Sequence, residues 1–115
     1  MNTSLIAQDM AMHALDSTKD YIKQQLKIWR ERRDYVYERL KNMGLDVWKP
    51  EGAFYVFPKV ANPKKFVLDM YNKHKIIVYL GEWFGDPQRV RISYATGMDD
   101  LKKTMDIIEN YLKKN

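Results

Sequence analysis

Gly81-Glu82-Trp83-Phe84-Gly85-Asp86-Pro87-Gln88 runs directly into Arg89-Val90-Arg91-Ile92-Ser93-Tyr94-Ala95. The first part, with two glycines and a proline, reads as a loop. The second alternates in character and reads as a strand. Successive side chains of a strand point to opposite faces, so Arg89 and Arg91 share one face. An arginine projecting from a strand suits a carboxylate, because its planar fork makes two parallel hydrogen bonds. The commoner use of such an arginine is an ion pair with a neighbouring Asp or Glu. Both readings stand at this point.

Upstream of the loop, Ile76-Ile77-Val78-Tyr79-Leu80 is a third strand whose nearly continuous apolar run predicts burial on both faces. A helix precedes it. Asn62 is the N-cap, Pro63 occupies N1, and the helix runs to about His74 with Phe66, Val67, Met70 and Tyr71 inward. Before that lies a hairpin-like segment. Leu45 to Lys49 is a strand, Pro50-Glu51-Gly52 a turn in which Gly52 is free to take positive φ, and Ala53 to Phe57 a second strand closed by Pro58.

The first part of the chain is helical. Residues 4–16 read as a short helix with a ragged apolar face, which needs cover from elsewhere. A long helix follows over about 18–43, with Ser17 as N-cap and Asp20 near its positive end. Ile22, Leu26, Trp29, Arg33, Val36, Leu40 and Met43 form one stripe, read as core packing, in which Arg33 pairs or snorkels. Gly44 ends the helix in the left-handed region. Downstream of the strand at 89–95, Thr96 and Asp99 resemble a cap, and a last helix covers about 99–113 with Leu101, Met105, Ile108 and Leu112 on one stripe. The order α-α-β-β-α-β-β-α predicts an α+β fold, a small mostly antiparallel or mixed sheet covered by helices.

Composition agrees with a folded domain. The chain has 115 residues, 45% hydrophobic and 30% charged, enough to bury a core without staples. Cysteine is absent, which excludes disulfides, thiolate metal sites and a cysteine nucleophile. His13 and His74 are far apart, so no histidine-built metal site is expected. No run is long enough to span a bilayer, and Met1-Asn2-Thr3-Ser4 lacks the basic region of a signal peptide. The expected location is the cytoplasm. The net charge is +5, which raises the alternative of a stand-alone basic module that binds nucleic acid or another partner. The interleaved signs of Arg30-Glu31-Arg32-Arg33-Asp34 favour an ordinary solvated face instead. There is no Walker A loop, no GxGxxG and no GxSxG elbow.

Two segments carry a resemblance. Glu51-Gly52-Ala53-Phe54-Tyr55-Val56-Phe57-Pro58 is similar to the PxGAFYVFP segment of class I/II, fold-type I pyridoxal-phosphate-dependent aminotransferases, aspartate-aminotransferase-like in type. Phe84-Gly85 followed by Arg91-Ile92-Ser93-Tyr94-Ala95 resembles that family's FG…RISYA segment. Ser4-Leu5-Ile6-Ala7-Gln8 and Arg32-Arg33-Asp34 fit the preceding helices, in the family's order. Two departures stand out. Leu80-Gly81 replaces a frequent Pro-Gly step, and Trp83 is bulkier than the small residue often found there.

The resemblance implies the C-terminal small domain of an aminotransferase over residues 18–115, with residues 1–17 as the helix segment from the junction with a large domain. It implies that Arg91 binds the α-carboxylate of an amino acid or 2-oxo acid, with Phe54 near the substrate pocket. It implies pyridoxal 5′-phosphate as the cofactor of the full-length parent. The Schiff-base lysine of the family has no counterpart here, since Ser17-Thr18-Lys19 lacks the downstream glycine and arginine. No catalytic, cofactor-binding or metal residue is therefore assigned, and the isolated fragment is expected to be inactive without cofactor. With the large domain missing, residues 1–16 are expected either to fray or to self-associate with a second copy.

Overall fold

Val90–Ser93 (β3) is the middle strand of a three-stranded antiparallel sheet. Tyr55–Val56 (β1) pairs along one edge, with Tyr55 opposite Ser93 and Val56 opposite Ile92. Tyr79–Leu80 (β2) pairs along the other, with Tyr79 opposite Arg91 and Leu80 opposite Val90. The computed structural model describes residues 2–17 and 19–114. Its helices are Leu5–Ser17 (α1), Lys19–Asn42 (α2), Pro63–His74 (α3) and Met98–Leu112 (α4). The fold is α+β, as the order of elements predicts.

The chain divides into two units, residues 1–30 and 31–115. In the second, the sheet turns Val56, Val90, Ile92 and Tyr94 into a core completed by Val36 and Leu40 of α2, Phe66 and Met70 of α3, and Leu101, Met105 and Ile108 of α4. Alternation along β3 is strict, because Val90 and Ile92 are buried while Arg91 and Ser93 face away from the core. Polar ties reinforce the helix packing. Arg39 of α2 donates to Asp106 and Glu109 of α4, both at 2.8 Å. Tyr111 of α4 donates to Asp69 of α3 at 2.9 Å.

In the first unit, α1 has no buried residue, and Leu5 and Leu15 are 80% and 77% exposed. Ile22 and Leu26 are exposed too, so the α2 stripe acts as core only from Val36 onward. Ser17, expected as the N-cap of α2, is the last residue of α1. Its hydroxyl donates to the His13 carbonyl within α1 at 2.7 Å, while the expected helix start at residue 18 lies outside the described residues.

Helix ends follow local chemistry. Gly44 has φ 79°, and the Gly44 and Leu45 amides donate back to Lys41 and Leu40, a Schellman closure. Asn62 caps α3 by accepting from the Lys65 amide at 3.1 Å, with Pro63 in the first turn. At α4 the N-cap is Gly97, not Thr96, whose hydroxyl reaches the Asp100 carboxylate instead.

The strands are shorter than the sequence predicts. Leu45–Lys49 forms no strand, because the Asp46 carbonyl accepts from the Lys59 amide and from Arg89 and enters no ladder. In the turn before β1 the left-handed residue is Ala53, φ 56°, and not Gly52. The run at 76–80 is not buried on both faces. Val78 is buried while Ile77 is 65% exposed, as befits an antiparallel edge strand covered on one side. Tyr71 of α3, expected inward, is also exposed.

Candidate functional site

The two arginines of the opening segment have opposite fates. Arg89 is only 5% exposed and is used internally. Its Nε donates to the Asp86 carboxylate at 3.1 Å, and one Nη to the carbonyls of Asp46 and Phe57 at 3.0 and 2.9 Å. The other Nη pairs with the Asp46 carboxylate at 2.6 Å, and the guanidinium stacks 3.9 Å from the centre of the Trp48 ring. A charge this buried is tolerable only when so fully paired. The ion-pair reading is therefore right for Arg89.

Arg91 has no such partners. Among the described residues no carboxylate pairs with it, and its buried Nε has no hydrogen-bond acceptor. Three rings frame it instead. Phe84 lies 3.9 Å, Tyr55 4.3 Å and Tyr79 5.0 Å from the guanidinium carbon. Each ring comes from a different element. Tyr55 is on β1, Tyr79 is directly opposite Arg91 on β2, and Phe84 ends the 3₁₀ turn Gly81–Phe84. Cation–π attraction holds the half-buried fork without consuming its in-plane donors. What results is a cationic, planar, oriented donor with free hydrogen-bonding capacity, the chemistry that receives a carboxylate.

Phe54 stands beside this cradle. Its ring is 4.6 Å from that of Tyr55, and it is 41% exposed. Its backbone is anchored, since its carbonyl accepts from the Tyr94 amide at 2.9 Å. The buried Tyr94 hydroxyl donates to the Ala53 carbonyl at 3.0 Å, and burial pushes the Tyr94 phenol above its ordinary value. Trp83 projects outward, 63% exposed, with its ring 6.2 Å from that of Tyr79.

The sequence singled out Arg91 and Phe54, which the fold brings into one neighbourhood through Tyr55. It missed the roles of Tyr55 and Tyr79. The register that sets Tyr79 against Arg91 depends on pairing between segments that no local pattern fixes. Among the described residues no three His, Cys, Asp or Glu side chains gather to hold a metal ion, and no helix is long and apolar enough to cross a membrane.

A family model described as aminotransferase class I and II matches residues 1–108. An aspartate aminotransferase of Thermotoga maritima is 39% identical over 108 residues, covering 93% of this chain and 28% of the relative. An aromatic-amino-acid aminotransferase of Thermococcus litoralis is 37% identical, over 81% of this chain and 25% of the relative. Among solved structures, an aspartate aminotransferase from Rhizobium meliloti superimposes with a TM-score of 0.86 at 29% identity, over 94% of this chain and 31% of that one. The chain thus spans between a quarter and a third of the length of these relatives.

Proposed function

Because the chain belongs to the aminotransferase class I and II family, we propose that it is the small domain of an enzyme that transfers an amino group between an amino acid and a 2-oxo acid. Residues 18–115 make up that domain, and residues 1–17 are the helix segment that joins it to a large domain. The observation that carries the reading is Arg91, an oriented guanidinium framed by rings and unpaired with any carboxylate of the described residues.

Arg91 holds the α-carboxylate of the substrate by two parallel hydrogen bonds from its fork, and so fixes the amino or oxo carbon in space. Phe54 contributes an apolar wall near the same pocket. The amino-acid side chain is read largely by residues beyond this chain.

Pyridoxal phosphate, when bound, supplies the electron sink for this chemistry. The residues present do not fit the task of holding it. A lysine that forms a Schiff base is activated by desolvation or a second cation, whereas every lysine whose side chain is described here stands exposed. Lys23, Lys49, Lys64, Lys65, Lys73 and Lys113 are engaged with carboxylates. The cofactor and its lysine therefore belong to the large domain, and the 115-residue chain alone is inactive. The same ion pairs, with the interleaved charges, support a solvated basic surface over a nucleic-acid site. We place the enzyme in the cytoplasm, which suits a chain without cysteine.

The test is kinetic. In the full-length enzyme containing this chain, Arg91→Lys should lower kcat/KM for α-carboxylate substrates roughly a hundredfold, about 3 kcal/mol, because lysine cannot make the bidentate pair. Unchanged efficiency would remove Arg91 from the site. For the chain alone, an absorption band formed with pyridoxal phosphate that disappears on substituting one lysine would overturn the assignment of the cofactor to the large domain.

A further inference from the structure

We propose that Arg89 is a positioning residue for the Arg91 site, which it builds by pinning two of the three chain segments whose rings frame Arg91. The proposal rests on the reading of Arg91 as the carboxylate binder.

The first segment is the loop that carries Phe84. Backbone bonds close it at the level of Arg89, where the Gly81 amide donates to the Arg89 carbonyl at 2.8 Å and the Asp86 amide donates to the Gly81 carbonyl at 3.1 Å. The Arg89 side chain then reaches forward to the Asp86 carboxylate. One residue thus grips the start of the 3₁₀ turn with its main chain and the far side with its guanidinium. Phe84, in between, has its ring set over Arg91. Gly81 tolerates no side chain here, because a Cβ would collide with the carbonyl oxygens of Arg89 and Asp86. The loop therefore has little room to shift while that grip holds.

The second segment leads to Tyr55. The Phe57 carbonyl accepts from Arg89, and the same Nη group holds the Asp46 carbonyl. Phe57 immediately follows β1, whose Tyr55 ring centre lies 4.3 Å from the Arg91 guanidinium carbon. A guanidinium can serve these three acceptors and the Asp46 carboxylate from one plane, whereas an ammonium has three donors and no plane. Such over-determined support by a buried, fully bonded neighbour is what holds a binding group in one rotamer.

The test uses the 115-residue chain, labelled with ¹⁵N-arginine, and reads the Nε–Hε signal of Arg91, assigned by its loss in Arg91→Lys. Protons lying over ring faces are shielded, so this signal should be displaced upfield in the unsubstituted chain. In Arg89→Met, which keeps bulk without donors, most of that displacement should vanish and the Phe84 ring protons should move, while far-UV circular dichroism still reports the helices. Arg89→Lys should recover only part of it. A folded Arg89→Met chain with both signals unmoved would overturn the proposal. Should Arg89→Met not fold, Asp46→Asn decides on the same two signals. It weakens one ionic bond at a largely exposed aspartate and leaves the Asp46 carbonyl in place. These signals need no substrate, so an Arg91→Lys enzyme of unchanged efficiency would remove the carboxylate reading without touching them.

Discussion

The guanidinium of Arg91 lies 3.9 Å from the centre of the Phe84 ring, a stack between the middle strand of the sheet and the turn that precedes it. The ring holds the fork's plane and leaves its edge for a planar anion. Arg91 is thereby ordered before any ligand arrives, which lowers the entropy lost on binding. Phe84→Leu should keep the loop's bulk but lose the ring quadrupole. In the full-length enzyme we expect KM for α-carboxylate substrates to rise roughly fivefold, about 1 kcal/mol, with a smaller effect on kcat. Steady-state kinetics checks this, and a KM that does not change would show that the ring only fills space.

Gly81 supports the same turn from below. Any side chain there meets two backbone carbonyls, neither of which can swing aside as a flexible side-chain tip could. Gly81→Ala should destabilise the chain by about 3 kcal/mol through forced backbone displacement. Urea denaturation would record it as a lower midpoint with an unchanged slope. A variant of ordinary stability would mean that the loop rearranges freely, which would also weaken the case for Arg89 as its clamp.

Different parts of this molecule were legible in the sequence to different degrees, for physical reasons. The bounds and buried stripe of helix α3 were legible because their signals are local: Asn62, Pro63, Phe66 and Met70 lie within a few turns, although Tyr71, expected inward, is exposed. The strands were overextended because a ladder ends where its partner ends, and β1 and β2 each offer β3 only two residues. Arg89 and Arg91 share residue type and stand two apart in one alternating segment, so no pattern along the chain could assign one to structure and the other to the site, although only Arg91 lies within β3. The difference lies in Asp46 and Asp86, which fold up against Arg89 alone.

Acid should loosen the packing of α3 on α4. The Asp69 carboxylate accepts from Lys65 and Lys73 at 2.8 Å and from the Tyr111 hydroxyl at 2.9 Å. These partners, Lys65 foremost, hold it far below the usual carboxylate range. Glu109 is lowered likewise, first by Lys113 and then by Arg39. A depressed folded value means that the unfolded chain binds more protons in acid, so stability rises with pH there. The contribution is complete above the unfolded value, about 4, and fades as pH falls toward the folded one. Melting temperature measured from pH 7 down to about 2 should therefore drop, and Asp69→Asn should flatten the drop while costing stability at neutral pH. Parallel curves for the two proteins would show that Asp69 is not part of this linkage.

The end of α3 invites a stabilising change. Lys75 sits in the left-handed region at φ 59° and ψ 26°, where its amide closes the helix on the Tyr71 carbonyl at 3.0 Å. The Ile76 amide reaches the Met70 carbonyl at 3.1 Å, and the positive φ is shared with Gly44, where the chain does use glycine. An L side chain in this region costs roughly 1–2 kcal/mol through its Cβ. Glycine removes that penalty but loses more freedom on folding, so the net gain is smaller. The Lys75 ammonium gives up little, since its bond to the Asn72 carbonyl is long, 3.3 Å, and exposed, and the centre of the exposed Tyr71 ring is 5.6 Å away, near the limit of cation–π attraction. Lys75→Gly should therefore raise stability by about 0.5–1 kcal/mol, read as a higher urea midpoint at constant slope. Lys75→Ala separates the causes, because it removes the ammonium and keeps the Cβ. It should leave the midpoint nearly unchanged, and an equal gain from alanine would mean that the lysine's charge, not its backbone, is the source of the strain.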